Sequence, residues 1–223
     1  MFRYPPMPVN ALTIDVEDWP QVAYRKLLGR SVPASQRVVV NTHMILDLLA
    51  EHNVQATFFV VGTVAEQFPD LIRRIKREGH EVATHGLEHR LITQMGPEAF
   101  DVDLRRSIHI LEEIIQEPIW GHRAAEFSLN SSSLWALEIM AAAGLRYDSS
   151  VFPFRHLRHD MPAVPRHPHL IHTPAGALVE FPLATVSFLG QNLPIAGGGY
   201  LRVLPWPSSD GAFRRLTGRD RWR

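Results

Sequence analysis

Cysteine is absent from the 223 residues, which excludes disulfides and thiolate metal ligands alike. No apolar run approaches the roughly 18 residues that would suggest a membrane span. Charge of one sign is missing too: Lys+Arg and Asp+Glu stand at 23 each, so the balance gives no reason to expect nucleic acid or an anionic membrane as partner. The opening M-F-R-Y-P-P-M-P-V-N has no apolar core of the kind a cleaved leader carries. A soluble, cytoplasmic protein is the expectation. There is no internal repeat and no low-complexity tract.

Apolar residues make up 45% and charged residues 21% of the chain, a globular composition at a length that buries a substantial core. Short β-branched or aromatic runs alternate with helical periodicity. Strands are expected at Ala11–Val16, Gln55–Val61, Glu81–Thr84, Pro118–His122, Arg146–Ser149 and Leu178–Leu183. Helices are expected at Ser35–His52, Thr63–Glu78, Pro97–Gln116 and Ser131–Ala143. This β-then-α order predicts parallel strands joined by crossover helices. From about Pro153 to Thr173 the Pro-, His- and Arg-rich texture predicts a long loop. Residues 208–223 are polar and basic, with five arginines in the last ten, and are expected to lie outside the packed core.

Two segments carry metal chemistry. Thr13–Trp19 reads T-I-D-V-E-D-W and Ala83–His89 reads A-T-H-G-L-E-H, each at the end of an apolar strand. Histidines at i and i+4 would share one helical face, although the same spacing also suits two solvated loop histidines. Two imidazoles and a carboxylate can hold a divalent ion such as zinc, leaving another carboxylate as a general base. Asp15 and Glu17 share a strand face, and Asp18 joins them only if the chain has already turned. The expected ligands are therefore His85 and His89 with Glu17 or Asp18. An acidic loop after a strand is the ordinary alternative.

Three further segments are less specific. In G-H-R-A-A-E-F, Arg123 can orient a carboxylate or hold an anion, or simply pair with Glu126 on the surface. Y-D-S-S-V-F-P offers Asp148 and Ser149 at a strand end. A-G-G-G-Y, ending in Tyr200, is a glycine run that lets backbone approach a ligand; no lysine or helix start follows, so phosphate binding is not indicated.

In order along residues 10–205, N-A-L-T-I-D-V-E-D-W, A-T-F-F-V-V-G, G-H-E-V-A-T-H-G-L-E-H, G-H-R-A, G-L-R-Y-D-S-S-V-F-P and N-L-P-I-A-G-G-G-Y-L-R resemble the polysaccharide deacetylase family, carbohydrate esterase family 4. The nearest likeness is its exosortase-linked exopolysaccharide branch. The resemblance implies a distorted (β/α) barrel over residues 8–205, followed by a divergent tail over 206–223. It implies metal-dependent removal of N-acetyl groups from a polysaccharide or oligosaccharide, with zinc first and cobalt or nickel as other choices. By position Asp15 resembles the catalytic base, Arg123 the residue that orients it, and His85 and His89 the metal ligands. The acid that often follows the base directly is replaced by Val16, leaving Glu17 or Asp18. Asp148, Ser149 and Tyr200 fall where the family lines its substrate groove.

The likeness departs at two places. Ala125, followed by the acid Glu126, stands where the arginine motif usually carries proline. No histidine follows His172, whereas relatives use a later one as general acid, so a weakened enzyme is expected unless His122, His156, His159, His167, His169 or His172 substitutes. A related amidohydrolase of cyclic ureides or imides, and a glycan-binding protein without catalysis, are the other readings.

Overall fold

Five short strands lie parallel and in chain order: β1 (Thr13–Val16), β2 (Thr57–Val60), β3 (Glu81–Thr84), β4 (Gly121–His122) and β5 (Tyr147–Asp148). The computed structural model describes residues 11–154, 161, 164–195, 197 and 198. β7 (Gly176–Glu180) adds parallel to β5, and β6 (His169–Thr173) adds antiparallel to β7. The sheet order is β1-β2-β3-β4-β5-β7-β6. Among the described residues β1 and β6 are its two edges. A separate hairpin joins β8 (Thr185–Phe188) to β9 (Gln191–Pro194).

Register decides which side chains meet. Asp15, Phe59 and Ala83 are aligned across β1, β2 and β3. Thr84, His122, Asp148 and Glu180 are aligned across β3, β4, β5 and β7. Successive residues of a strand point to opposite faces, so these two rows lie on opposite sides of the sheet. The second row faces the helices.

Among the described residues the connections carry α1 (Trp19–Leu28), α2 (Gln36–Glu51), α3 (Gly62–Gln67), α4 (Pro69–Arg77), α5 (Pro97–Ile115) and α6 (Trp135–Ala142). α4 and α5 pack on β3, and α6 packs on β7. Phe58, Ile72, Ile75, Leu104, Leu111, Met140 and Leu178 are fully buried between these layers. Each such side chain contributes about 1.5–3 kcal/mol by leaving water. α2 starts where expected, with the Ser35 side chain accepting from Arg37 N, which satisfies one of the free N–H groups of the first turn.

The helix expected over Thr63–Glu78 is two helices. Phe68 between them sits at φ −131°, ψ 60°, because the ring of Pro69 disfavours a helical conformation in the residue before it. The helix expected from Ser131 begins as a single 3₁₀ turn, Ser131–Ser133, capped by Asn130. The loop expected over Pro153–Thr173 ends in β6, whose backbone pairs with β7. α1 was not among the expected helices, and none of its residues is fully buried. The boundary at 205/206 and the tail beyond it lie outside the described residues.

Candidate active site

β1 delivers the acids. Asp15 lies within the strand, and Glu17 follows on the same face. Glu17 Oε2 is 2.6 Å from His89 Nε2 and 3.6 Å from His85 Nε2. One ligand atom from each of the three residues lies within 4.8 Å of the other two. Glu17 Oε2 is buried and faces both imidazoles. Three ligand-type atoms converging this closely suit a common cation. Asp18 turns away: its Oδ2 accepts the Ser35 N–H at 2.5 Å, and the residue immediately precedes α1. Of the two acids proposed as ligands, the structure brings Glu17 to the histidines and leaves Asp18 outside.

The histidines converge through a loop and not along a helical face. After β3 the chain reverses at Gly86 (φ 77°), and His89 itself is left-handed at φ 55°. Glycine adopts such a φ freely, and histidine is one of the few side chains found there with any frequency. The two rings are 5.2 Å apart between centroids and inclined at 70°. His85 Nδ1 lies 2.7 Å from the Arg123 carbonyl oxygen; an N–H donated there leaves Nε2 as the ligating nitrogen. Burial works against charge on Glu17, but His85 and His89 outweigh it and hold its carboxyl well below the ordinary value. Burial also opposes charge on His85, yet Asp15 and Glu17 raise its pKa overall.

Arg123, just past β4, reaches across to β1. Its Nη1 donates to Asp15 Oδ1 at 2.8 Å and to Thr13 Oγ1 at 2.9 Å. Nε donates to the Ser149 carbonyl at 3.1 Å and Nη2 to Ser149 Oγ at 2.8 Å. The guanidinium also lies 4.1 Å from the centre of the Phe59 ring. Glu126, the surface partner considered for it, instead receives Lys26 of α1 at 3.0 Å.

The residues expected to line a groove are placed differently. Asp148 is fully buried on the helix side of the sheet, where it meets His122 Nδ1 at 2.8 Å and Ser150 Oγ at 2.6 Å. Ser149 faces Arg123 and holds it, donating its own hydroxyl to the Phe181 carbonyl at 2.8 Å. Tyr200 lies outside the described residues, as do His156 and His159. His122 is buried with its ring edge against Phe100 of α5, away from Asp15. His169 and His172 sit on the far edge strand, with His167 just before it. A cleft of about 190 Å³ opens beside His89, between Arg25 and Lys26 on one side and Leu91, Gln94 and Glu126 on the other. Thr13 and Phe59 are site residues the motifs did not single out; the threonine two positions before Asp15 on the same strand face was the available signal for one of them.

Residues 32–147, more than half of the chain, match the model of the family described as polysaccharide deacetylase. The chain belongs to the polysaccharide deacetylase family. Residues 149–222 match a second model, a domain of unknown function named DUF3473. The chain is 46% identical over 66 residues to a chitooligosaccharide deacetylase of Rhizobium leguminosarum bv. trifolii, covering 30% of this chain and 31% of that one. It is 36% identical over 73 residues to a peptidoglycan-N-acetylglucosamine deacetylase of Bacillus cereus, covering 33% and 26% respectively. The alignments therefore span about a third or less of these curated relatives. A crystal structure of a candidate polysaccharide deacetylase from Mycobacterium smegmatis shares the fold, with a TM-score of 0.62 at 24% identity over 97% of this chain and 76% of that one. The family match contains His85, His89 and Arg123 but begins after Asp15 and Glu17. Those two acids are tied to the matched region by the contacts just described.

Proposed function

We propose that this member of the polysaccharide deacetylase family is a metal-dependent hydrolase that removes N-acetyl groups from an N-acetylhexosamine-containing polysaccharide or oligosaccharide. The observation that carries the reading is the Arg123–Asp15 pair beside the Glu17, His85 and His89 cluster. Glu17, His85 and His89 would hold the ion, zinc by the chemistry of two imidazoles and one carboxylate. When bound, the ion supplies Lewis-acid polarisation and lowers the pKa of water.

Asp15 accepts the proton as water adds to the acetyl carbonyl. Arg123 fixes the direction of that carboxylate, and Thr13, Ser149 and Phe59 fix Arg123. As the carbon–nitrogen bond breaks, acetate departs and the amine takes up a proton. The protonated carboxyl of Asp15 can return it. The names of the curated relatives, chitooligosaccharide and peptidoglycan-N-acetylglucosamine deacetylases, support an N-acetylglucosamine-containing substrate. The cleft beside His89, with Arg25, Lys26, Gln94 and Glu126 on its walls, is the route by which a sugar would approach.

Bound metal measured by elemental analysis, together with acetate release from an N-acetylated chito-oligosaccharide, tests this reading. One ion per chain is expected in the wild type and in Asp15→Asn, and none in the His85→Ala/His89→Ala double variant. Acetate release should be lost in both variants. A wild type that binds no divalent ion, or an Asp15→Asn protein of full activity, would overturn the proposal. Sugar binding with metal present but no acetate released would favour the non-catalytic reading.

A further inference from the structure

The loop between the two histidines is held by neighbours that form no part of the cluster. Leu87 N–H donates to Asp103 Oδ2 at 2.8 Å. The Gly86 carbonyl receives Ser107 Oγ at 3.1 Å and Gly62 N–H at 2.9 Å. Gly86 N–H donates to Thr84 Oγ1 at 3.2 Å, and that hydroxyl bonds Ser107 Oγ at 2.6 Å. The Leu87 carbonyl receives Thr63 N–H at 2.9 Å. Every backbone polar group of Gly86 and Leu87 is thereby engaged.

Asp103 and Ser107 are four residues apart on α5 and so share one face. Both are buried. A buried carboxylate is costly unless it meets a donor it is needed for, and a core-facing turn of α5 would accept an apolar residue at position 103 at lower cost. The fit around the loop is also close. A Cβ on Gly86 would lie 3.3 Å from Asp103 Oδ2, and a Cβ on Gly62 would lie 3.0 Å from Leu87 Cδ1 and 3.3 Å from Ser107 Oγ.

We propose that Asp103 and Ser107 are positioning residues for the metal site: they lock the Gly86–Leu87 turn in the one conformation that brings His85 and His89 to Glu17. The inference rests on the metal-site reading above. His85 is set by β3 and by its bond to the Arg123 carbonyl, whereas His89 lies four residues on, in a left-handed conformation. Its position therefore depends on the turn between them. Ligand bonds to zinc are only about 2.0–2.3 Å long, so a small rotation of that turn moves the His89 nitrogen out of bonding distance. Groups that orient metal ligands are typically worth about 10–100-fold in metal affinity.

The test is zinc affinity by chelator competition for the wild type, Asp103→Leu, Asp103→Asn and Ser107→Ala, with unfolding temperatures of the metal-free proteins as the folding control. Asp103→Leu should bind zinc about 10–100-fold more weakly. Asp103→Asn keeps an oxygen acceptor for Leu87 N–H and should stay near the wild type. Ser107→Ala removes one buried oxygen, and if Asp103→Leu does not fold it carries the test alone, with weaker zinc binding expected. Excess zinc should restore acetate release in these variants without a change in KM. Wild-type zinc affinity in folded Asp103→Leu, or in Ser107→Ala where the leucine variant does not fold, overturns this inference alone. A wild type that binds no zinc overturns the metal reading and this inference with it.

Discussion

Arg123 Nη1 and Asp15 Oδ1 are 2.8 Å apart although 108 positions separate them in the chain. The arginine is 6% exposed, and its planar fork is bound along both sides by Asp15, Thr13 and Ser149. Phe59 covers its face. A guanidinium fixed at three nitrogens has little freedom to rotate, and the carboxylate it holds inherits that rigidity. Removing one member of a buried pair leaves an uncompensated charge, commonly at a cost of about 3–5 kcal/mol.

Replacing Arg123 by lysine is therefore not conservative. An ammonium cannot reproduce the fork to Asp15 and Ser149 together. Arg123→Lys should lower kcat for acetate release by about 10²-fold, the scale of a misplaced catalytic group, while zinc content stays at the wild-type level. Steady-state kinetics with parallel metal analysis would show it. Unchanged kcat in a folded Arg123→Lys protein would remove the orienting role from the arginine.

The two acids after Val16 should separate cleanly. Glu17→Gln is expected to reduce zinc affinity, because Glu17 Oε2 faces both imidazole nitrogens. Asp18→Ala is expected to leave zinc affinity unchanged and to cost about 1–3 kcal/mol of stability by stranding the Ser35 N–H. Chelator competition and denaturant unfolding distinguish the two. Equal loss of zinc in both variants would mean that Asp18 also reaches the ion.

Much of this arrangement was legible in the residues alone. The apolar runs that became β1, β2 and β3 placed the acids and the first histidine at strand ends, and the two-residue period put Asp15 and Glu17 on one face. The histidine pair met as expected but by another route, since spacing reports separation and not the turn that Gly86 makes. The break before Pro69 had its signal in the proline itself. α1 carried a weaker signal, Trp19, Val22, Ala23 and Leu27 at helical spacing with Gly29 after them; it buries no residue fully and is tied down by ion pairs from Arg25 to Glu88 and from Lys26 to Glu126. Asp148 is buried on the helix side of the sheet, and a two-residue strand such as β5 offers almost no alternation from which a face could be read. The grip of Asp103 on Leu87 N–H leaves no pattern at all, being a long-range bond from a side chain to backbone.

Gly121 is expected to be indispensable to packing. A Cβ there would fall well inside van der Waals contact with the Tyr147 ring, which crosses the glycine from the neighbouring strand. Gly121→Ala should destabilise the protein by about 1–3 kcal/mol through overpacking. Truncating the ring in Gly121→Ala/Tyr147→Ala should make the double variant more stable than the two single losses added together, because the clash is shared. Strict additivity in denaturant unfolding would show that the ring is not what the new methyl meets.

Glu180 should make stability fall as pH rises. Burial, and after it the nearby charge of Asp148, push its carboxyl well above the ordinary 4.5, and one oxygen accepts the Val151 N–H at 3.0 Å. Below pH 4.5 the folded and unfolded chains both hold the proton. Above it the unfolded chain releases the proton while the folded chain keeps it, so the folded state binds more protons and loses stability with each further step in pH. The loss levels off only once the folded carboxyl has itself ionised. Glu180→Gln keeps the neutral shape and cannot titrate, so it should flatten this part of the profile and leave the variant more stable than the wild type, relative to their difference at pH 4, by pH 8. Denaturant unfolding of both proteins across that range isolates the effect, because other titrating groups contribute to each. A difference between the two curves that does not change with pH would mean that the folded and unfolded carboxyls titrate together.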